Sequence, residues 1–290
     1  MKNIKYIFFG SPEFAQTILS ALITAGLPPI AVVTNPDRPF GRKKILTPPP
    51  VKLLAEKYNI PVFQPEKIGE ECVEEVKTLE AEAFVVAAYA KIIPKTLIDA
   101  VPLGALGIHP SLLPLYRGAS PIQGAILGGE KETGVAIYKM DEAVDHGPVF
   151  AERKTEIGEN ETYAELQKQL AKIASEMIVE ILPKFASGEM TPVEQRHDEA
   201  TLTKKFKTED GFISEEMLAK ALSGENQEEA ERVSRTIRAL NPDPGVWTLR
   251  QAQGKPQRIK LLSAKLENGQ LKLESVQMEG KTPQSAKLYF

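Results

Sequence analysis

Short apolar runs typical of β-strands alternate with helical patterns over the first part of the chain, and this alternation limits the possible folds more than any other feature. Strands that alternate with helices favour crossover connections and a mostly parallel sheet covered on both faces. We therefore expect an α/β, Rossmann-like first domain. The sequence predicts strands at 4–9, 30–34, 61–63, 84–88 and 105–109, and helices at 12–25, 51–58 and 66–79.

The second half of the chain extends this domain and then changes in character. After a long amphipathic helix, a polar and irregular stretch leads to a region rich in strand-like runs. We predict an α/β domain at 1–187, a linker at 188–208 and a smaller β-rich domain at 209–290. The remaining predicted elements are strands at 133–140 and 147–154, helices at 161–185, 214–222 and 228–239, and strands at 246–250, 258–266 and 269–276.

Composition disfavours several classes of protein. The 290 residues carry a formal net charge of -3, so any nucleic acid has to be held by a local basic patch. Cys72 is the single cysteine, which excludes an internal disulfide and a cysteine metal cluster and suits a reducing cytoplasm. No apolar run approaches the roughly 20 residues that cross a bilayer. We expect a cytoplasmic protein with no metal and no membrane partner.

His109 ends the predicted strand 105–109, and two prolines in the following loop prevent a regular continuation. Ligand sites of open α/β sheets lie at the carboxyl ends of strands, so an imidazole here is placed for acid–base chemistry. A single histidine beside an apolar segment is also typical of a satisfied structural residue. This stretch alone leaves both interpretations open.

A second candidate is Asp145, in an acidic run that follows a predicted strand and ends in a glycine turn. A carboxylate can orient an imidazole, stabilise its charged form and help to move a proton from an attacking amine. An aspartate two residues before a glycine is also common turn chemistry. A functional pair with His109 requires the two loops to converge.

A third candidate is the long loop after the second strand, NPDRPFGRKKIL at 35–46, which carries four cationic side chains beside a phenylalanine. Loops of this length in compact domains are usually functional or disordered. Basic groups next to an aromatic ring can bind phosphates and stack on a nucleotide. A solvated surface loop is the alternative.

In this order, these stretches resemble the methionyl-tRNA formyltransferase family, and the similarity runs over nearly the whole chain. The SLLPxYRGxxPI pattern is specific to the formyltransferase superfamily, and the basic loop and the second domain favour the tRNA enzyme over its relatives. The matching stretches are FGSPEFA, NPDRPFGR, PPPVK, VVAAYAKIIPK, HPSLLPLYRGASPIQGAI and ETGVAIYKMDEAVDHGP, followed by IRALNP and Trp247.

The resemblance implies an enzyme that transfers the formyl group of 10-formyltetrahydrofolate to the α-amine of methionyl initiator tRNA, for translation initiation, and that acts as a monomer. In such enzymes an Asn, a His and an Asp surround the formyl carbon. The His and the Asp fall on His109 and Asp145, with His109 relaying a proton and Asp145 holding the ring.

The family Asn falls on Gly107, which has no side chain to donate a hydrogen bond to the formyl oxygen. Losing one such donor typically costs about two to three orders of magnitude in rate. A backbone N–H, an ordered water, His146 or Asn35 are the candidate substitutes.

The resemblance also implies binding residues. The second domain is expected to be an OB-like barrel that positions the tRNA through phosphate contacts. The folate is expected at Ser111, Leu112, Leu113, Pro114, Val86, Ala87, Ala88, Tyr89 and Ala90, and the tRNA acceptor end at Arg38, Arg42, Lys43 and Lys44.

The rival functions are a formyltransferase for an amino sugar or for glycinamide ribonucleotide, a formyltetrahydrofolate hydrolase, and a non-catalytic folate or tRNA binder marked by Gly107.

Overall fold

The structure, a computed structural model, describes residues 4–41, 43–252 and 255–289. The chain divides into two compact units, each built from several segments. The domain boundaries predicted at 187 and 208 stay a prediction, since compact packing units need not be independent domains. Unit 1 consists of Met1–Ala119, Gly134–Thr155 and Gln167–Leu202, and unit 2 of Ser120–Thr133, Glu156–Leu166 and Thr203–Phe290.

Most elements of the described residues lie within a few positions of the predicted ones. The strands are β1 (Tyr6–Gly10), β2 (Ala31–Val33), β3 (Arg38–Phe40), β4 (Ile45–Thr47), β5 (Val62–Phe63), β6 (Ala83–Ala87), β7 (Ala105–His109), β8 (Arg117–Gly118), β9 (Glu132–Lys139), β10 (Val149–Glu156), β11 (Leu202–Thr203), β12 (Trp247–Ala252), β13 (Lys255–Glu267), β14 (Gln270–Met278) and β15 (Gln284–Ser285). The helices are α1 (Glu13–Thr24), α2 (Pro50–Lys57), α3 (Glu70–Lys77), α4 (Lys95–Ile98), α5 (Pro121–Gly128), α6 (Tyr163–Ala186), α7 (Glu215–Ser223) and α8 (Gln227–Leu240). None of these helices is both long enough and apolar enough to span a bilayer.

A seven-stranded sheet forms the core of unit 1, in the order β10-β9-β7-β6-β1-β2-β5. The strands from β5 to β7 in this order are parallel to their neighbours, whereas β9 runs antiparallel to β7. All five residues of β1 are buried, as expected for a parallel strand that is covered on both faces. The prediction of a mostly parallel, Rossmann-like sheet is confirmed.

Some local features differ from the sequence prediction. The third helix begins at Glu70 rather than at residue 66, because the chain is still extended at Gly69, where φ is -116°. The predicted loop 35–46 contains a hairpin, in which β3 and β4 pair antiparallel. The linker predicted at 188–208 stays a prediction; its residues up to Leu202 belong to unit 1, and the backbone of Val193 pairs there with that of Val149.

Unit 2 contains an antiparallel sheet of four strands in the order β12-β13-β14-β15. Its helix α8 packs against α5, β13 and β14. Two helices of unit 2, α7 and α8, begin at polar caps, since Ser214 and Asn226 accept hydrogen bonds from their first turns. The β-rich character predicted for the end of the chain is confirmed, and closure into a barrel stays a prediction.

Candidate active site

His109 is the last residue of β7, at the edge of the sheet where the parallel strands β2, β1, β6 and β7 all end. On the other side of β7, Gly107 pairs with Tyr138 of β9, and His109 pairs with Ala136. Residues two apart in a strand point to the same face, and so do directly opposed residues of neighbouring strands. The side chains of His109 and Tyr138 therefore lie on one face of the sheet, next to Gly107.

The His109 ring is held at both nitrogens. Its Nε2 lies 2.9 Å from the carbonyl oxygen of Tyr116, and its Nδ1 lies 3.5 Å from Oδ2 of Asp145. Because a carbonyl oxygen can only accept, Nε2 carries a proton and donates it to Tyr116. Nδ1 is then the ring nitrogen that faces the carboxylate of Asp145.

Asp145 reaches His109 from the loop between β9 and β10. Its backbone is left-handed, with a φ of 50°, which turns the side chain back toward β7. Oδ2 accepts a hydrogen bond from the backbone N–H of Gly118 at 2.7 Å, and Oδ1 accepts one from the hydroxyl of Tyr138 at 2.8 Å. The structure thus brings His109 and Asp145 together, as the hypothesis of a functional pair required.

Tyr138 is a residue of this cluster that the sequence did not single out. A Cβ atom added to Gly107 would lie 2.3 Å from Cε1 of Tyr138 and 2.7 Å from its hydroxyl oxygen. The tyrosine is 4% exposed and packs with Leu113 and Ala136. The ring therefore occupies the space that a side chain at 107 would need. The sequence signal that could have identified Tyr138 is a glycine opposite a large residue on a neighbouring strand. This signal can be used only when the register between β7 and β9 is known.

The two side chains considered as substitutes at position 107 have their hydrogen bonds elsewhere. The amide of Asn35 donates to the carbonyl oxygen of Tyr89 at 3.5 Å. The ring of His146 hydrogen bonds to Asp141 at 2.7 Å and stacks on His197. Tyr138 is the residue whose ring fills the space next to Gly107, and a role for Asn35 or His146 stays a prediction.

The expected folate segments follow two neighbouring parallel strands. Val86–Ala90 includes the end of β6, and its exposed residues Ala88 and Ala90 have left-handed backbones, with φ of 47° and 57°. Ser111–Pro114 follows β7, and the buried hydroxyl of its first residue donates to the carbonyl oxygen of Leu115 at 2.6 Å. Because β6 and β7 are adjacent and parallel, the two segments leave the sheet at the same edge.

Three of the four cations expected to contact tRNA lie on the hairpin of β3 and β4. Lys43 and Lys44 are exposed in the turn of the hairpin. Arg38 is also exposed and forms an ion pair with Glu66 at 2.6 Å. Arg42 lies outside the described residues. Surface ion pairs contribute about 0–1 kcal/mol, so the pairing of Arg38 is readily exchanged for another anion.

The base of this hairpin is anchored and its second strand is apolar. The carboxylate of Asp37 accepts hydrogen bonds from Lys52 at 2.9 Å and from Gln64 at 2.8 Å. Ile45 and Leu46, by contrast, are 61% and 64% exposed. These two side chains present apolar surface next to the cations of the hairpin.

Several solved structures share this fold. A methionyl-tRNA formyltransferase from Clostridium thermocellum matches with a TM-score of 0.59 and 20% identity, over 95% of this chain and 98% of that one. An N-formyltransferase from Helicobacter canadensis, solved in complex with folinic acid and dTDP-3-aminofucose, matches with a TM-score of 0.65 and 17% identity, over 91% and 88% of the two chains. At these identities the likeness shows the fold alone.

The sequence comparisons are more specific. The family described as formyl transferase matches residues 2–182. A methionyl-tRNA formyltransferase from Chloroflexus aurantiacus is 42% identical over 257 residues, which cover 88% of this chain and 79% of that protein. Another, from Halorhodospira halophila, is 40% identical over 83% of this chain and 74% of its own length. The chain belongs to the methionyl-tRNA formyltransferase family of formyl transferases.

Proposed function

We propose that this protein transfers the formyl group of 10-formyltetrahydrofolate to the α-amino group of methionyl initiator tRNA, which yields N-formylmethionyl-tRNA for translation initiation. The observation that carries the proposal is the convergence of His109 and Asp145 at the end of β7, in a chain of this family. In this reaction a C–N bond forms between the amine and the formyl carbon. The bond from that carbon to N10 of the folate breaks, and the proton lost by the amine is balanced by one gained at N10.

The protein groups have to manage two proton transfers. The pair of His109 and Asp145 accepts the proton of the attacking amine and returns a proton to N10 of the folate. Nδ1 of His109 carries the mobile proton, and Asp145 stabilises the ring when that proton is present. The bond from Nε2 to the carbonyl oxygen of Tyr116 keeps the ring in one orientation throughout.

The folate supplies the formyl group, and the two loop segments at the ends of β6 and β7 are proposed to hold it. In Val86–Ala90 the exposed alanines have small side chains, which leave the main chain accessible to the hydrogen-bonding edge of a flat ring. In Ser111–Pro114 the half-buried Leu112 and the buried Leu113 supply apolar surface. Both segments fit a ligand that has an apolar body and a polar edge.

The hairpin of β3 and β4 is proposed to contact the acceptor end of the tRNA. The exposed Lys43 and Lys44 supply positive charge for phosphates, together with Arg38 and Arg42, and Ile45 and Leu46 supply apolar contact. Residues 209–290 are proposed to position the rest of the tRNA.

The oligomeric state and the compartment are part of the same proposal. The protein is proposed to act as a monomer. Translation initiation and the single cysteine, Cys72, support the cytoplasm. Gel filtration at the concentration of the activity assay tests the monomer.

The test of the function is formylation of methionyl initiator tRNA by the purified protein with 10-formyltetrahydrofolate. Wild type is expected to transfer formyl, and His109→Ala is expected to lower kcat by about a hundredfold or more. Lys77→Ala, an exposed change on α3, is the control and should match wild type.

Two other outcomes would assign a different function. Transfer to a nucleotide-linked amino sugar, with none to methionyl-tRNA, would identify a sugar enzyme on this fold. Folate or tRNA binding without transfer to either acceptor would identify a non-catalytic binder. The observed convergence of His109 and Asp145 favours the enzyme over the binder.

A further inference from the structure

Acyl transfer develops negative charge on the carbonyl oxygen, and a preorganised hydrogen-bond donor is the usual device that stabilises it. Gly107 has no side chain to provide such a donor. The hydroxyl of Tyr138 lies in the space that a side chain at 107 would use, because a Cβ atom at 107 would lie 2.7 Å from the hydroxyl oxygen. The buried ring, packed with Leu113 and Ala136, fixes where this hydroxyl can be.

The Tyr138 hydroxyl is a donor under all ordinary conditions. Burial, and then the neighbouring charge of Asp145, raise the pKa of Tyr138 well above its usual value. The phenol therefore keeps its proton. Without substrate it donates that proton to Oδ1 of Asp145 at 2.8 Å, the carboxylate that also faces Nδ1 of His109.

We propose that Tyr138 is a catalytic residue whose hydroxyl donates a hydrogen bond to the formyl oxygen as negative charge develops there, in place of a side chain at 107. This inference rests on the proposed formyl transfer. It adds a hydrogen-bond donor to the site. The partner of this donor is the formyl oxygen, to which the proposed function assigns no hydrogen bond from His109 or Asp145.

The hydroxyl has one proton, so its two hydrogen bonds have to alternate. When the pair of His109 and Asp145 takes up the proton of the amine, the carboxylate shares that proton with Nδ1 and attracts the hydroxyl less strongly. At that moment the charge on the formyl oxygen is greatest, and the O–H turns toward it. When the C–N10 bond breaks and the pair gives up its proton, the hydroxyl returns to Asp145. Tyr138 gains and loses no proton, so the reaction balances as before.

The first test is Tyr138→Phe, which removes the hydroxyl and keeps the ring. We expect kcat and kcat/KM for methionyl-tRNA formylation to fall together by about a hundredfold to a thousandfold, with KM for both substrates unchanged, because the bond is made only in the transition state. Tyr6→Phe is the matched control. The hydroxyl of Tyr6 is also buried and donates to the carbonyl oxygen of Leu27, away from the site. This control should fold and keep the kcat of wild type.

The second test moves the donor to the other strand. Tyr138→Val removes the ring, and Gly107→Asn in the same chain places an amide where the hydroxyl was. We expect the double variant to exceed the kcat of Tyr138→Val by tenfold or more. Gly107→Leu in the Tyr138→Val chain is the packing control, because leucine refills the same space without a hydrogen-bond donor. A gain from packing alone would appear with leucine as well, whereas a role as donor predicts the gain for asparagine only.

The outcomes separate this inference from the proposed function. If wild type does not formylate methionyl-tRNA, the proposed function fails. If wild type is active and Tyr138→Phe stays within threefold of its kcat, the inference is overturned. It is also overturned if Tyr138→Phe changes KM alone, or if the folded double variant is no more active than Tyr138→Val.

Discussion

Gln195 and Asp145 are separated by 50 positions in the chain, yet Nε2 of Gln195 donates a hydrogen bond to the carbonyl oxygen of Asp145 at 3.1 Å. The same amide donates to the carbonyl oxygen of Gly147 at 2.7 Å, and its Oε1 accepts from the buried guanidinium of Arg117. Gln195 itself is buried. These hydrogen bonds therefore hold in place the loop that carries Asp145, whose carboxylate faces His109.

Gln195→Leu should weaken both the fold and the reaction. The substitution removes donors from two carbonyl oxygens and an acceptor from Arg117, and each buried polar group left unsatisfied costs about 1–3 kcal/mol. With Asp145 less firmly placed, kcat should fall by about tenfold to a hundredfold. Urea unfolding and steady-state formylation measure the two effects. Gln16→Leu, which loses one hydrogen bond to Pro50, is the control and should keep its kcat. A Gln195→Leu enzyme with the kcat of wild type would contradict this role.

Gly107→Asn alone should destabilise the protein rather than improve it. The new Cβ atom would lie 2.3 Å from Cε1 of the buried Tyr138, and such overpacking costs about 1–3 kcal/mol. Thermal unfolding should therefore occur at a lower temperature, without a gain in activity. Gly26→Asn is the matched control, because nothing lies within 4 Å of a Cβ there and asparagine tolerates its φ of 76°. Equal Tm values for the two variants would contradict this prediction, because they would show that the Tyr138 ring moves aside at little cost.

Asp37 should make stability depend on pH in the acid range. Its hydrogen bonds with Gln64 and Lys52 lower the pKa of the carboxyl below its ordinary value. A carboxyl with a lowered folded-state pKa adds stability above its unfolded value of about 3.9, and this contribution is lost as the pH falls through the folded-state pKa. Between about pH 5 and pH 2.5, wild type should thus lose more unfolding free energy than Asp37→Asn. The exposed change Asp198→Asn should follow wild type, and parallel curves for wild type and Asp37→Asn would refute the prediction.

The hairpin lysines should determine how salt affects tRNA use. Each phosphate contact that is lost lowers the slope of log affinity against log salt by about 0.7–0.9. We expect Lys43→Ala and Lys44→Ala each to raise KM for methionyl-tRNA and to flatten this slope, with KM for the folate unchanged. Lys77→Ala, on α3, should change neither. An unaltered slope in both hairpin variants would place the tRNA elsewhere.

The sequence predicted those parts of the fold that depend on local pattern. The strand β7 has the predicted bounds, because apolar residues precede a proline-containing loop that ends it. The hairpin of β3 and β4 was missed because its second strand, Ile45–Thr47, is exposed on every residue and shows no alternation of apolar and polar positions. A strand that is exposed on every residue cannot be predicted from the alternation of apolar and polar positions.

The site was predicted in part, for a related reason. His109 follows from its place at the end of a strand. The role of Tyr138 depends on the antiparallel register between β7 and β9, which is set by the packing of the whole sheet. The approach of Asp145 to His109 depends on a left-handed backbone at a residue other than glycine, which has no clear sequence signal.

The contact between Gly107 and Tyr138 also couples the changes at these two positions during evolution. The two residues compete for one volume, so a side chain at 107 and a large ring at 138 disfavour each other. Adding the side chain first costs about 1–3 kcal/mol through overpacking, and removing the ring first costs about 3–5 kcal/mol through the cavity left by a whole aromatic ring. Either first step destabilises the protein, so a change at one of the two positions favours a compensating change at the other.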